Sequence, residues 1–409
     1  MITGAFKKKI DVRIYGPDGT GLPVPLVGFD FAGFTKELNA GPSECVLTTD
    51  KAFDYAGGEI AVGNEVEINV VDKDTLNSTG DPRCVYRGYI SLIERTAAGQ
   101  TESLRITLLG YYTRLAFAVL MDGTVNTLYV HETDGLSTDD SSAGEISLAF
   151  RTAIDKYRAQ TGDTRIFYEP EDVPDTGTIV HYAFQLQTYR SVLDKLKFLA
   201  PADWNYYVDE TGRVKFGPKP SAPTHRFVFG RHVASVAVTT NMETVRNHVM
   251  VWNGEPAGAL DVFNEYEDGD SILKYGRRTA DLITDPSIDN SVVSPANTPA
   301  ADLRGARYLA ENKDPEVKIK CTILDNAGSD DGYDVESIQP GDTCSFYGFD
   351  DALADAFRDN MLITKVFYRL DGADIEVEVV KSGLLAEQAR QQKQIKDVGL
   401  LLGLPADFS

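Results

Sequence analysis

Cysteine is scarce in this chain of 409 residues, and the few cysteines are far apart. No two of them form a C-x-x-C pair, which argues against a structural zinc site or a redox motif. The five histidines also lack the spacing of metal ligands. We therefore expect buried thiols in a protein made in a reducing cytosol, with no metal or other cofactor. The four positions are Cys45, Cys84, Cys321 and Cys344.

Positive charge is also in short supply. The chain has 40 basic residues against 62 acidic ones, which gives a net charge of −22. Lys and Arg side chains supply much of the affinity for phosphates, so this balance argues against a nucleic-acid-binding protein. It also disfavours attachment to anionic membrane surfaces.

Long apolar runs are missing as well. No stretch approaches the roughly 20 apolar residues that a membrane-spanning helix needs. Three lysines at 7–9 are not followed by the apolar segment of a secretory signal peptide. We therefore expect a protein without a membrane anchor.

The chain lacks the motifs of familiar catalytic sites. It has no G-x-S-x-G elbow, no H-E-x-x-H helix and no glycine-rich phosphate loop. Paired acids such as Asp139 and Asp140 are typical of solvated loops in so acidic a chain. Trp204, Tyr206 and Tyr207 suggest a stacking platform for sugars, although their spacing along a strand favours burial of at least one face. We therefore predict that the protein is not an enzyme.

What the chain does contain is a repeat shared by its two ends. In each copy an isoleucine three positions before a glycine opens a strand, and an isoleucine and two more glycines follow. The opening glycines lie 278 positions apart and the three later pairs 273, so the difference falls in a loop. The pairs are Gly63 and Gly341, Ile90 and Ile363, Gly99 and Gly372, and Gly110 and Gly383.

Between the matched glycines, apolar and polar residues alternate in both copies, as in half-buried strands. The fixed offset predicts that Leu108 corresponds to Lys381. Any two antiparallel β modules share such alternation, so coincidence is the alternative. The favoured interpretation is a β-barrel duplicated within one chain, which would let a threefold oligomer present six similar surfaces.

Composition and periodicity divide the chain into four parts. Short alternating strands at both ends predict two similar β-barrel modules, and helical periodicity in the middle predicts a small α+β domain. The expected fold class is mainly β with an α+β insertion and a C-terminal helix. The expected domains are a first β-barrel at 1–117, the α+β domain at 118–226, a second β-barrel at 227–383 with a loop and helix insertion at about 255–312, and a helical tail at 384–409.

One basic motif stands out in this acidic chain. Tyr275, Gly276, Arg277 and Arg278 follow an acidic loop. Two adjacent arginines suit an anion, but a junction between a loop and a strand with an interfacial salt bridge is favoured. We therefore predict an interface motif at these four residues.

Four stretches of the chain, taken in order, resemble one family. They are Phe34–Pro42 with the strand at 60–70, Leu193–Phe216, Tyr275–Arg278 with the helix expected at 299–312, and Tyr333–Asp342. Their order and spacing, over almost the whole chain, are similar to those of the hub proteins at the tail tip of long-tailed bacteriophages. That family includes the N-terminal hub part of tail-associated lysins, which are minor tail proteins, and the central baseplate hub.

The resemblance implies a homotrimeric structural protein of the virion tail tip, made in the host bacterial cytoplasm. Each subunit of such a hub supplies two β-barrels, and the six barrels form a pseudo-sixfold ring on the hexameric tail tube. The implied partners are the distal tail or tail-tube protein, the tape-measure protein and a downstream tip or fibre protein. DNA passes through the central channel during ejection without specific binding. Many relatives continue into a C-terminal hydrolase, whereas this chain stops after the predicted helix, so lytic activity is not expected.

Two other functions remain as alternatives. One is a tail-tip β-protein that binds or degrades a receptor polysaccharide, and the other is the distal tail protein, a hexameric ring component. Oligomeric state separates them, because the hub is a trimer, the distal ring a hexamer and the glycan-binding protein a monomer.

Overall fold

The computed structural model describes residues 9–17, 19, 23–26, 28–49, 60–71, 83–98, 101–253, 262–285, 288, 300–325, 333–348, 360–369 and 372–378. The helix expected at 384–409 lies outside these residues. No helix in the described ranges is both long enough and apolar enough to cross a membrane.

Alternating apolar residues near the N-terminus form a run of strands. In the last of them Leu104, Ile106 and Leu108 are fully buried while Arg105 is exposed, as the period of two requires. The strands of this first half are β1 (Lys9–Tyr15), β2 (Val24–Leu26), β3 (Asp30–Glu37), β4 (Pro42–Thr49), β5 (Glu65–Val71), β6 (Arg83–Ala98) and β7 (Thr101–Gly110).

A domain of two helices and short strands follows. Ile146, Phe150, Ile154 and Tyr157 recur at helical spacing and are all buried on one face of the first helix. The second helix begins after Thr188, whose side chain caps it by accepting a hydrogen bond from the Ser191 N–H. The elements are β8 (Thr127–His131), β9 (Gly135–Ser137), β10 (Gly144–Glu145), α1 (Ile146–Thr161), β11 (Ile179–Val180), β12 (Ala183–Gln185), α2 (Tyr189–Leu199), β13 (Trp204–Val208) and β14 (Val214–Pro218).

The remainder of the chain returns to strands, with two helices between them. Ile319, Cys321 and Ile323 alternate with polar residues and are buried, which again gives a sheet with one apolar face. The elements are β15 (His225–Val228), β16 (Val233–Asn241), β17 (His248–Trp252), β18 (Phe263–Glu267), α3 (Gly269–Tyr275), β19 (Ile283–Thr284), α4 (Ala300–Asn312), β20 (Glu316–Leu324), β21 (Thr343–Tyr347), β22 (Met361–Arg369) and β23 (Gly372–Glu378).

Thirteen of the described strands belong to one sheet that runs through both halves of the chain. Its order is β16-β20-β23-β22-β3-β4-β7-β6-β5-β1-β2, and β21 and β15 extend from β22. The halves meet where β3 pairs antiparallel with β22. The fold is mainly β with an α+β insertion, which confirms the predicted class. No closed barrel is found among the described strands; β3 and β22 instead join the two halves edge to edge into one sheet.

Two hydrophobic cores lie under these elements. One packs against the sheet and contains residues from both ends of the chain, including Ile106 and Ile363. The other surrounds α1 and α2 and includes Phe150. Ala300 and Ala301 of α4 belong to this second core, so the insertion in the C-terminal half packs on the central domain.

The two halves share a strand register, although the offset of 273 does not persist. Ile90 lies opposite Leu108, and Ile363 lies opposite Val377, with a β-bulge directly after each pair. Leu108 therefore corresponds to Val377 and not to Lys381. The physical reason is that the second hairpin is two residues shorter in each of its strands.

Candidate functional site

The tight turn between β3 and β4 is hydrogen-bonded to the hairpin that β13 and β14 form in the central domain. Asn39 has a φ of 58°, a left-handed conformation that Asn tolerates better than most residues. Its backbone N–H donates to the carbonyl oxygen of Tyr206 at 2.8 Å, and its Oδ1 accepts from the Tyr206 N–H at 3.1 Å. Its Nδ2 also donates to Asn205 Oδ1 at 3.2 Å. Three polar contacts of one residue thus fix β13 against this turn.

A buried lysine next to this turn links three parts of the chain. Lys36 Nζ lies 3.1 Å from Glu210 Oε2 and donates to Gln339 Oε1, also at 3.1 Å. Tyr207 donates its hydroxyl to the same Gln339 oxygen at 3.0 Å. Burial, followed by the nearby Glu210 carboxylate, raises the pKa of Tyr207 well above its usual value, so the hydroxyl keeps its proton. We call Lys36, Glu210, Tyr207 and Gln339 the central polar cluster.

The opening glycines of the repeat occupy equivalent turns. Gly63 has a φ of 91° and Gly341 a φ of 93°, a region that favours glycine. The Gly63 N–H donates to the carbonyl oxygen of Ile90 at 2.8 Å, and the Gly341 N–H donates to that of Ile363 at 2.9 Å. Both turns therefore attach a new strand to β6 or β22 in the same way.

The other repeat positions divide between described and undescribed parts of the chain. Gly110 ends β7 and Gly372 begins β23. Gly99 and Gly383 lie outside the described residues. The pairings of Gly99 with Gly372 and of Gly110 with Gly383 therefore stay predictions, while the described strands between them follow a different offset.

A histidine and a carboxylate meet beside the second repeat turn. His225 Nε2 lies 2.9 Å from Asp342 Oδ2, and its other ring nitrogen contacts the Tyr333 hydroxyl. The imidazole is buried and stacks on Phe227. The imidazole therefore links the Tyr333 hydroxyl to the Asp342 carboxylate beside this turn.

The Tyr275–Arg278 motif lies at the end of α3, where the chain returns to β17. Arg278 donates its backbone N–H to Asn247 Oδ1 at 2.7 Å. Asn247 is fully buried, and its Nδ2 donates to the Gly276 carbonyl oxygen at 2.8 Å. Arg277 is more than half exposed and lies 3.2 Å from Glu267. The structure thus holds the motif at Gly276 and Arg278 through Asn247, which the sequence does not single out.

A second ionic cluster joins the first half to the central domain. Arg114 lies 3.6 Å from Glu65 and 3.1 Å from Asp163, and Arg165 contacts both carboxylates. Tyr111 donates its hydroxyl to Glu65 at 2.9 Å. Burial opposes ionisation of Asp163, but the Arg165 N–H and the Arg114 guanidinium outweigh it and lower the pKa of this carboxyl.

Arg307 anchors α4 to the central domain. Its guanidinium donates to the carbonyl oxygens of Ala200 at 3.2 Å and Trp204 at 3.0 Å, which lie after the end of α2. It also pairs with Glu311 at 2.8 Å, and Lys197 Nζ donates to the same carboxylate at 3.0 Å. A cation at this position satisfies the carbonyl of Ala200, the C-cap of α2, and that of Trp204 at the start of β13.

A cleft of about 840 Å³ opens beside Arg307, between α4, α2 and β22. Its lining carries both signs of charge, and oppositely charged side chains pair within it. Lys365 donates to Glu37 at 2.6 Å, and Lys318 lies 2.9 Å from Glu316. The cleft is therefore not a strongly basic groove of the kind that holds nucleic-acid phosphates.

The aromatic set that suggests a sugar platform is buried. Trp204 and Tyr206 contribute to the central core, and Tyr207 belongs to the central polar cluster. No face of the three rings is available for stacking on a glycan.

Comparison with known proteins identifies the fold. No protein-family model matches the chain, and no curated protein matches it. Three solved tail proteins do match in structure. A 43 kDa tail protein of prophage MuSo2 from Shewanella oneidensis has a TM-score of 0.56 at 13% identity, over 91% of this chain and 98% of that one.

The other two have similar values. A prophage tail protein from Listeria monocytogenes has a TM-score of 0.52 at 11% identity, over 94% of this chain and 99% of that one. A tail protein from Neisseria meningitidis has a TM-score of 0.53 at 13% identity, again over 94% and 99%. The chain therefore shares its fold, along nearly its full length, with phage tail proteins.

Proposed function

We propose that this chain is a structural protein of a phage tail, and that it forms the hub at the tail tip or baseplate. The observation that carries the proposal is the match of fold to three tail proteins over more than 90% of the chain. The sequence motifs give the same assignment independently, and several of them meet at the central polar cluster. Lys36, Glu210 and Gln339 each come from a different motif.

The proposed hub is a homotrimer. Each chain carries two related β halves, within 1–117 and 227–383, with the α+β domain at 118–226 between them. Three copies therefore offer six similar units to a hexameric tail tube. The distal tail or tail-tube protein is the proposed partner on that side, with the tape-measure protein and a downstream tip or fibre protein as further partners. The virion tail tip is the proposed location, after synthesis in the bacterial cytoplasm.

The hub surrounds the channel through which DNA leaves the tail. A net charge of −22 suits this role, because a wall rich in carboxylates lets DNA pass without binding. The wall of the proposed channel is expected to carry more Asp and Glu than Lys and Arg. The exposed Arg277 and its neighbours Tyr275, Gly276 and Arg278 are proposed to contact another subunit or protein.

We propose no catalytic activity for the hub. His225, which has a carboxylate partner, is enclosed, and the aromatic set at 204–207 is buried. The expected result on cell-wall zymograms is no clearing by the purified protein. Clearing that persists after removal of contaminants contradicts a purely structural role.

Oligomeric state tests the proposal directly. Native mass spectrometry of the purified chain, alone and with its tail-tube protein, is expected to give a trimer. A stable hexamer indicates the distal tail ring protein instead. A monomer that binds a glycan indicates a receptor-binding protein, the alternative whose supporting feature, an exposed aromatic platform, is absent from the set at 204–207.

A further inference from the structure

The two halves of one chain join by pairing β3 with β22, and the same kind of strand pairing can join two copies of the chain. At this join β3 runs antiparallel to β22, with Phe34 opposite Tyr368 and Glu37 opposite Lys365. Lys365 donates to Glu37 at 2.6 Å. The joint covers apolar side chains on both strands, since Phe34 and Val366 each keep 1% of their surface exposed.

The counterpart of β22 in the first half is β6. Ile363 and Ile90 make the same hydrogen bond to their opening glycine, and each precedes a bulge. The offset of 273 holds along this strand, so 365–368 correspond to 92–95. In β22 these positions pair with β3. In β6, residues 92–95 pair with β7 on one edge only. Their other edge pairs with no strand in the described ranges, because β5 pairs with β6 only as far as Tyr89.

The counterpart of β3 in the second half is β16. Leu108 pairs with Cys45 of β4, and Cys45 lies opposite Phe34 of β3. In the second half Val377, which corresponds to Leu108, pairs with Ile319 of β20, and Ile319 lies opposite Val238 of β16. Phe34 therefore corresponds to Val238.

In β16, too, the outer edge is left without a strand partner in the part of the chain that the structure describes. Val238 is 47% exposed, and Leu92 of β6 is 48% exposed. The strand Val233–Asn241 contains no charged residue, in a chain of which 25% is charged. Soluble proteins usually protect a long sheet edge with charges or proline. The opposite end of the sheet follows that rule, because β2 is three residues long and contains Pro25.

We propose that β16 of one copy pairs antiparallel with β6 of a second copy, and so repeats between chains the joint that β3 and β22 make within each chain. The equivalence places Val238 opposite Arg95 and Asn241 opposite Leu92. The contact joins two different surfaces, so it builds a ring when the rotation closes. The inference rests on the proposed ring-forming hub and names the surfaces that form the ring.

Disulfide trapping tests this pairing. Opposite positions of antiparallel strands have Cβ atoms about 4.5–5.5 Å apart, close to the separation that a disulfide spans. The variant carries Leu92→Cys and Asn241→Cys in the full chain. Mild oxidation is expected to give covalent dimers and trimers on non-reducing gels, which reduction reverses.

The chain offers a matched control. Glu37→Cys with Lys365→Cys places the same pair in the joint within one chain, and is expected to link without any increase in mass. Leu92→Cys with Thr161→Cys, at the exposed end of α1, is a mismatched pair that is expected to remain unlinked. Linking between copies in the mismatched pair as well would contradict a specific strand contact.

The outcomes separate the interface from the proposed function. A trimer in which the control pair oxidises but Leu92→Cys and Asn241→Cys do not link contradicts this interface alone. A chain that stays monomeric at all concentrations, also with the tail-tube protein, and never links contradicts both the hub and the interface.

A charge on the strand gives a second measurement. Val238→Lys places a second cation opposite Arg95 and is expected to lower the trimer fraction at least tenfold at fixed concentration, while the urea midpoint of the monomer stays unchanged. Phe117→Lys, at a more exposed position after β7, is expected to leave the trimer intact. An undiminished trimer in Val238→Lys overturns the proposal.

Discussion

Lys36 shows how a single side chain can connect distant parts of this sequence. A lysine in an alternating strand pattern is normally expected to face solvent. Here it is buried, because Glu210 and Gln339 come from segments far along the chain and satisfy its charge. Each of the three motifs that contain these residues is recognisable in the sequence. The contact between the motifs is not, because no residue within one motif specifies its partners in the others.

Replacing this lysine tests the cluster. Lys36→Met keeps most of the side-chain volume but leaves the Glu210 carboxylate without its cation. Removing one partner of a fully buried pair costs about 3–5 kcal/mol, and the slight exposure of Glu210 lowers our expectation to about 2–3 kcal/mol. Urea unfolding measures the loss. Lys365→Met, in an exposed pair, is the control and should cost less than about 1 kcal/mol.

Asp163 predicts a pH dependence of stability. Its folded pKa is lowered, so the folded state binds fewer protons than the unfolded state near the unfolded pKa of about 3.9. This contribution is complete above about pH 5 and is lost as the pH falls through the folded pKa. Urea midpoints from pH 7 to pH 3 should therefore fall less steeply in Asp163→Asn. A slope in Asp163→Asn equal to that of the wild type would contradict the assignment.

At the level of elements, the contact between β3 and β22 requires close approach of the two backbones. Gly33 has a φ of 102°, and a Cβ there would lie 2.3 Å from the Tyr368 carbonyl oxygen. The neighbouring atom is backbone and cannot move aside without breaking the joint. Glycine is thus required at Gly33 both by conformation and by space.

Gly33→Ala is expected to destabilise the chain by about 2–4 kcal/mol, because the left-handed conformation and the steric overlap both act against it. Gly123→Ala is the control, since it also has a positive φ but nothing lies within 4 Å of an added Cβ. Thermal unfolding compares the two. An equal loss of stability in the two variants would show that conformation alone accounts for it, and that β3 and β22 can accommodate the added Cβ without a clash.

The elements also show what the sequence can and cannot predict. The apolar residues at helical spacing match the buried face of α1, and a threonine, a common N-cap residue, stands at the start of α2. In α4 the buried side is not made of large apolar residues, because Gly305 and Arg307 lie on it. Gly305 admits the ring of Tyr266, and Arg307 reaches carbonyl groups of another element. The join between the two halves could not be predicted for the same reason, since edge pairing depends on partners hundreds of residues away.

At the scale of the whole molecule, the net negative charge predicts that the protein does not bind DNA. Repulsion between carboxylates and phosphates acts within the Debye length of about 8 Å at physiological salt. Fluorescence anisotropy with labelled duplex DNA should therefore show no saturable binding near 0.15 M salt. Lowering the salt should not create binding, because weaker screening strengthens repulsion as well. Saturable binding in either buffer would contradict an acidic channel.

The long separation between β3 and β22 has a consequence for synthesis. Glu37 and its partner Lys365 are 328 positions apart in the chain. At a translation rate of about 5–20 residues per second, the first half waits roughly 16–66 s on the ribosome before β22 is available. During this time the outer edge of β3 is open to other nascent chains, while the central domain, built from contacts between nearby segments, can already fold. Polysome crowding and temperature during expression should therefore affect the yield of soluble protein more than the stability of the finished fold does.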